Sequence, residues 1–569
     1  MSLHSTGVSK ESLTRRSFVR RGALATGAIT TGAFHINTRL AAGALFAPPT
    51  SPPTTPWVQP LAFPRWAVPT QALSGPAPIP SAHQRYEEFL PQDVYEIPVR
   101  MVAARPHPQL GLTNWMSYDG QVPGPTFMTR LGRPILVRYR NELPEEIQGF
   151  GHPEIVTHVH NGNHASESDG GPWDMFGPGS FKDHHYPQYA AAGDPDEAKG
   201  TLWYHDHAMD FTAQNTYRGL AGFYLMFDEL DSGDENDPNP NALRLPSGVP
   251  NGEHVADCHD IPLAIMDRGF DRNGILAMDV MDMDGIVSDK YLVNGRVQPY
   301  FEVKRRKYRF RVLDAGPARY YDFWLSNGME FQIIGTDGNL LQHPVPANHF
   351  AMGPGERYDI VIDFASLPES TTVLYLVNRV EMPGGRGPKN NLLPMNESPR
   401  VLKFVIRPGA VADPSRVPGF LREEEPIDPA DVARATRRTW DFDRKNGMWT
   451  VNGKLFDPNR VDAVIPHLQP EIWTIKAHGG WAHPIHFHLE EGRILSFNGG
   501  EEEDPVLLGR KDVFSLRGGE EMEIFVRFHD WVGKYPIHCH NGTHEDHAMM
   551  VRFDVVRSLE EGVSASPGA

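Results

Sequence analysis

From about Tyr86 onward, apolar and polar residues alternate in short runs punctuated by Gly, Pro, Asn and Asp. Tyr95-Glu-Ile-Pro-Val-Arg-Met, Ile135-Leu-Val-Arg-Tyr-Arg and Gly222-Phe-Tyr-Leu-Met-Phe have a period near two. That period predicts strands whose successive side chains point to opposite faces. A small turn followed by such a strand recurs. Asp119-Gly120 precedes Pro134-Ile-Leu-Val-Arg-Tyr-Arg-Asn, Asn294-Gly295 precedes Lys307-Tyr-Arg-Phe-Arg-Val-Leu-Asp, and Asn452-Gly453 precedes Glu471-Ile-Trp-Thr-Ile-Lys-Ala. Units roughly 160 to 175 residues apart predict three similar β-domains, since a solenoid repeats on a far shorter period. The stretch 163–199 has no regular pattern and is read as a long insertion.

Composition supports an all-β reading. The chain has 569 residues, too many for one ordinary core. Its 53 Gly and 51 Pro beside 40% hydrophobic residues suit a turn-rich β-protein. A net charge of -18 argues against general affinity for nucleic acid or anionic membranes. Residues 1–47 resemble an export signal: Thr14-Arg15-Arg16-Ser17-Phe18 is similar to the twin-arginine motif, and a mild apolar run follows from Gly22 to Phe34. That run is too short for a stable membrane span. Export by this route places the protein in the periplasm, at the cell surface or outside the cell.

Residues 48–84 form a Pro-rich segment, with eleven prolines between 48 and 80, that links domains or straps along the surface. The remaining division is 85–230, 231–410 and 439–557 for the three domains, a linker over 411–438 and a tail over 558–569.

The chemistry concentrates near the C-terminus, in His538-Cys539-His540 followed by His544 and Met549. A thiolate, an imidazole and a thioether at this spacing are ligands of a type 1 copper. In a strand, His538 and His540 point away from the Cys539 face and toward a different metal centre. Four His-x-His pairs occur: His158/His160, His205/His207, His486/His488 and His538/His540. Residues i and i+2 share a strand face about 6 to 7 Å apart, so a pair can feed one ion or two adjacent ions. One pair is weak evidence. Four pairs, split between the first and last domains, suit a three-metal cluster at a domain interface.

With Leu202-Trp-Tyr-His-Asp-His-Ala-Met and His538-Cys-His-Asn-Gly-Thr-His-Glu-Asp-His-Ala-Met-Met, the chain resembles the multicopper oxidases over about 85–557, especially the three-domain group of spore-coat laccases, bilirubin oxidases and phenoxazinone synthase. The resemblance implies three cupredoxin-like β-sandwich or Greek-key barrel domains and four copper ions, one type 1, one type 2 and two type 3. It assigns His483, Cys539, His544 and axial Met549 to type 1 copper, and His158 and His486 to type 2. His160, His205 and His540 fall to one type 3 ion, and His207, His488 and His538 to the other. Asp169 and Glu545 match proton-supplying positions, and reducing dioxygen to two waters does require four protons at a buried cluster.

The activity implied is one-electron oxidation of a small reducing substrate (a phenol, aromatic amine or bilirubin-like compound) by a monomer, coupled to dioxygen reduction. The donor is expected to dock at the exposed edge of His483 or His544. Oxidation of Cu(I), Fe(II) or Mn(II) is the alternative within enzymes, and copper sequestration the alternative outside them.

Other signals are given plainer readings. Met278 to Asp284, alternating Met and Asp, is read as a loop with buried Met and solvated Asp, and Glu501 to Asp504 as a solvated acidic loop. Cys258 is read as a buried inert thiol. His184 and His185 receive no role. Asn161-Gly162-Asn163 and Leu489-Glu490-Glu491-Gly492 depart from the family's usual wording, which bears on substrate choice.

Overall fold

The alternating runs become strands in a computed structural model, which describes residues 50–558. The export motif and residues 559–569 lie outside the described residues. Six sheets pair face to face around three apolar cores. The first core gathers Tyr95, Ile97, Val99, Phe127, Val159 and Tyr204, the second Ile261, Phe310, Phe323 and Phe404, and the third Trp473, Ile485, Phe487, Ile537 and Phe553. Few helices interrupt them, and none among the described residues is long and apolar enough to cross a membrane.

The repeat seen in the sequence is a repeat of topology. Asp93–Ala104 pairs in parallel with Ile135–Asn141, Asp260–Phe270 with Lys307–Asp314, and Thr436–Lys445 with Pro470–Ala477. The strand before each turn, Thr113–Tyr118, Lys290–Val293 or Met448–Val451, returns antiparallel on the same first strand. The turn itself has one geometry. Asp119 and Gly120 have φ of 49° and 71°, Asn294 and Gly295 of 47° and 74°, and Asn452 and Gly453 of 52° and 73°. Two successive positive φ values define a type I′ turn, which Asn-Gly and Asp-Gly accept at least strain.

Two readings change. The strand Ala221–Phe227, taken as alternating, is buried at every position. Tyr224 and Met226 face the first core, while Phe223, Leu225 and Phe227 pack with Ala264, Met266, Leu292 and Leu313 of the second sandwich. A strand covered on both sides needs apolar residues throughout. The insertion 163–199 is not patternless either. It contains the short helix Ser166–Asp169 and the strand Phe181–Tyr186, which pairs antiparallel with Ile135–Asn141.

The Pro-rich segment behaves as a strap. Trp57 and Leu61 donate backbone hydrogen bonds to Gln298 and Tyr300 of the second sandwich, and Ala67 and Thr70 to Thr126 and Val94 of the first. Gln84 then donates to Val532 O of the third at 2.9 Å. Proline cannot donate such bonds, so the contacts come from the residues between prolines. Farther along, 411–438 carries one short helix, Pro429–Arg434, whose first turn is capped by the Asp428 carboxylate accepting from Ala430 N.

Candidate metal centre

The histidine pairs sit on two hairpin-like strand pairs that face each other. Thr157–His160 pairs with Thr201–Asp206 so that His158 lies opposite His205. His483–Phe487 pairs with Gly533–Cys539 so that His486 lies opposite His538 and Ile485 opposite Cys539. Strand alternation then separates two sets of side chains. Cys539 turns into the third core with Ile485, Phe487 and Ile537. His486, His538 and their i+2 partners turn toward the first sandwich.

There the eight imidazoles meet. His158 stacks on His488 with ring centroids 3.8 Å apart, and His160 on His486 at 3.7 Å. His207 Nε2 lies 3.2 Å from His538 Nε2. Donor atoms of His207, His488 and His538 fall within 4.8 Å of one another, as do those of His158, His486 and His488 and of His158, His160 and His205. His540 joins His160 and His205, with ring centroids 5.0 and 5.4 Å away.

The pattern of satisfied and unsatisfied nitrogens tests whether these groups fit metal. His158 Nδ1 donates to Asp169 O at 2.6 Å, His205 Nδ1 to Asp206 O at 2.8 Å and His486 Nδ1 to Asp512 O at 2.8 Å. In each the buried Nε2 has no partner. His160 is reversed: its Nε2 meets Asp512 Oδ1 at 3.1 Å and its Nδ1 is free. Unpartnered buried nitrogens cost free energy unless something binds them. Fixing one ring nitrogen to aim the other is how proteins orient metal-binding histidines. Burial also favours the neutral imidazole that metals require, holding His205, His207 and His540 down at about 3. The donor set fits copper.

A second group lies across Cys539. His483 Nδ1 and His544 Nδ1 are 3.4 and 3.5 Å from Cys539 Sγ and 3.2 Å from each other. This near-equilateral triangle of two nitrogens and one sulfur is the trigonal arrangement of a blue-copper site. Burial pushes the Cys539 thiol well above its ordinary pKa, so a cation is needed to hold it as thiolate. The short helix Gly542–Asp546 carries His544, and the Asn541 side chain caps it by accepting from Thr543 N at 3.2 Å. Met549 packs in the same core as Cys539, and Cys539 N donates to its carbonyl at 3.1 Å.

Both predicted carboxylates reach the histidine cluster. Asp169 ends the helix Ser166–Asp169, is fully buried, and accepts from His488 Nδ1 at 2.7 Å. Burial raises its pKa well above the usual carboxylate range, so it holds a proton readily. Glu545 lies 3.4 Å from His538 Nδ1 and 3.6 Å from His207 Nε2. Burial pushes its pKa up, but His538, His207 and His540 together outweigh that and hold it below the usual range.

Sequence reading passed over three features. Asp512, fully buried, binds His160 and is gripped by both terminal nitrogens of Arg357 at 2.8 and 2.7 Å. It stands just before the strand Val513–Leu516, which pairs with His483–Phe487, and only that pairing brings it to His160. The Trp449 ring lies against that of His544, tilted by 31° with centroids 3.7 Å apart. The Met/Asp stretch does not alternate buried Met with solvated Asp: Met281 is exposed, Met278 and Met283 are half-buried like the aspartates between them, and at the far end Asp284 O receives His544 Nε2 at 3.0 Å. His483 and His544 are accordingly fully buried, without the exposed edge expected of a docking histidine. Cys258 is a buried thiol as expected. His184 and His185 support the Asp169 helix: His184 Nδ1 donates to Ser168 O at 2.8 Å and His185 N to Ser168 Oγ at 2.9 Å.

A fold of three β-sandwiches with a cysteine-centred triad and a histidine cluster between the outer two defines a copper oxidase. Comparison with known proteins agrees. Residues 102–231, 272–389 and 428–558 each match a multicopper oxidase family. A bilirubin oxidase from Albifimbria verrucaria is 33% identical over 487 residues, covering 83% of this chain and 78% of that protein. A laccase from Bacillus subtilis is 30% identical over 527 residues, covering 84% and 97%. The crystal structure of the McoA multicopper oxidase from Aquifex aeolicus superposes with a TM-score of 0.69 at 27% identity, covering 82% of this chain and 97% of that one. The chain belongs to the multicopper oxidase family, and is a copper-dependent oxidoreductase with dioxygen as acceptor.

Proposed function

We propose that this protein is a laccase-like oxidase of small organic reductants that holds four coppers. His483, Cys539, His544 and Met549 hold the type 1 ion, and His158 and His486 the type 2 ion. One type 3 ion falls to His160, His205 and His540, and the other to His207, His488 and His538. Bound copper supplies the one-electron storage and the dioxygen chemistry. The chain supplies the rest. Cys539 and its neighbours His538 and His540 are covalently continuous, so one strand joins both centres. Asp169 holds a proton readily and Glu545 offers an ionised carboxylate to take one up and pass it on, both within reach of cluster histidines. Relatives named bilirubin oxidase and laccase favour phenols, aromatic amines or tetrapyrroles as donors. Export through the twin-arginine route and action as a monomer complete the reading.

The observation that carries it is the set of buried, unpartnered nitrogens on His158, His160, His205, His486 and His488, each aimed by a hydrogen bond on the opposite side of its ring. The test is copper stoichiometry followed by dioxygen uptake. Four tightly held coppers and uptake driven by phenols or bilirubin support the reading. Uptake driven only by Cu(I), Fe(II) or Mn(II) moves the substrate to metal ions. Many weakly held coppers without uptake refute catalysis in favour of sequestration.

A further inference from the structure

Asn161-Gly162-Asn163 and Leu489-Glu490-Glu491-Gly492, the two stretches that depart from the family's wording, touch each other across the interface of the outer sandwiches. Each begins directly after a cluster histidine, His160 or His488. Each opens on a residue with left-handed backbone, Asn161 at φ 66° and Leu489 at φ 82°. Asparagine tolerates that conformation, but leucine is strained in it and stays there only if its surroundings hold it.

The contact is part of a buried knot that draws in all three sandwiches. Asn161 Nδ2 donates to Glu491 Oε1 and to Asp337 O, the latter at 2.7 Å. Asn339 Nδ2 donates to the same Glu491 oxygen. Asp337 and Asn339 belong to the tip of a second-sandwich hairpin formed by Phe331–Thr336 and Asn339–Ala347. Lys199 stands just before Thr201–Asp206, the strand that carries His205. Its ammonium donates to Asn161 Oδ1 at 2.8 Å and Asn161 O at 2.9 Å, and lies 3.9 Å from Glu491 Oε1. Lys199 and Glu491 are both buried, so each charge depends on the other. Glu490 ties down the same turn by accepting from His529 N at 2.9 Å. Both polar atoms of the Asn161 side chain are thus engaged, which fixes its orientation.

We infer that Glu491 is a positioning residue for the histidine cluster: by gripping Asn161 it fixes the distance between His160 and His488, and with it the spacing of the two type 3 ions. This rests on the copper assignment proposed above, which gives these histidines to different ions. Glu491 acts through the backbone. One hydrogen bond joins the first residue past His160 to the third residue past His488. Relaxation of the strained Leu489 would move the end of the His488 strand, and the knot opposes that movement.

The test uses copper-loaded full-length protein. Asn161→Gly removes the side chain but accepts φ 66° without strain. Cluster copper should then pass to a competing chelator about tenfold more readily. Type 3 copper, silent in EPR while the two ions are coupled, should become partly visible, with the blue band and type 1 EPR signal unchanged. Glu491→Ala should match it, and combining the two should loosen the cluster no further, because both cut one interaction. Glu491→Gln should melt lower, since Lys199 loses its counter-charge, yet hold copper like the wild type, since its amide oxygen still accepts from both asparagines. An Asn161→Gly protein with wild-type chelator resistance and EPR overturns the inference and leaves the copper assignment intact. Parallel loss of the type 1 and cluster signals overturns it too, because the knot would then serve stability alone. Wild-type protein whose bound copper is all visible in EPR overturns the copper assignment instead. If Glu491→Ala does not fold, Asn161→Gly, which cuts the same bond, decides the matter.

Discussion

Asp512→Asn is the sharpest probe of how the histidine cluster is built. The carboxylate and the Arg357 guanidinium are both fully buried and joined by two hydrogen bonds. Removing one partner of such a pair leaves a buried charge uncompensated, at a cost of about 3–5 kcal/mol. Arg357 keeps its bonds to Asp337 O at 2.6 Å and Gly355 O at 3.1 Å, with the Asp337 carboxylate 3.7 Å away. Those contacts place the expected loss near the lower limit, about 3 kcal/mol. That corresponds to roughly 6–12 °C in Tm if 150–250 residues unfold together.

The variant also loses the carboxylate charge that orients His160, so copper affinity at the cluster should fall about 10- to 100-fold. Calorimetry of the copper-free protein and a competitive chelator titration measure the two effects. A double variant, Asp512→Leu with Arg357→Met, separates them. Stability should largely return, because no charge is left unpaired, while copper affinity stays low, because His160 still has no partner. An Asp512→Asn protein that melts and holds copper like the wild type would refute both the buried-charge argument and the positioning role.

The other expectations concern single groups. Cys539→Ser should abolish the blue thiolate-to-copper absorption and substrate oxidation while far-UV circular dichroism is preserved, and a variant that stayed blue would remove Cys539 from the ligand set. Asp169→Asn and Glu545→Gln should slow dioxygen reduction but leave donor-driven bleaching of the blue band at its normal rate; loss of bleaching alone would contradict a proton-supplying role. Gly170→Ala should destabilise by about 2 kcal/mol or more, since a side chain at φ 82° is strained and its Cβ would sit 2.1 Å from Thr157 O. Thermal melts and copper content check this, and a neutral result would mean the His158 strand yields more easily than its packing suggests.

Much of this was legible along the chain. Period-two alternation and turn residues are local, so the all-β class and the threefold repeat could be read directly, down to the Asn-Gly and Asp-Gly turns. The histidine pairs were legible because residues two apart on a strand share a face whatever the surrounding fold, and because Cys539 must face opposite to His538 and His540. Asp169 and Glu545 were found only by their matching positions, and the structure sets each carboxylate beside a histidine from a distant segment.

What the sequence could not show depends on which surfaces meet. Asp512 looks like any loop aspartate until strand pairing sets it beside His160 and Arg357. Asp284 reads as solvated until the second sandwich lays its backbone over His544, where a carbonyl, which no residue identity encodes, accepts the Nε2–H hydrogen bond. Trp449 is an ordinary core aromatic until the fold sets its ring 3.7 Å from that of His544. The sequence by itself determined the fold class, the repeat and the four histidine pairs, because those follow from spacing within single strands. Only the tertiary structure decided which carboxylate steadies the cluster and which edge of the triad is closed, because those depend on contacts between residues hundreds of positions apart.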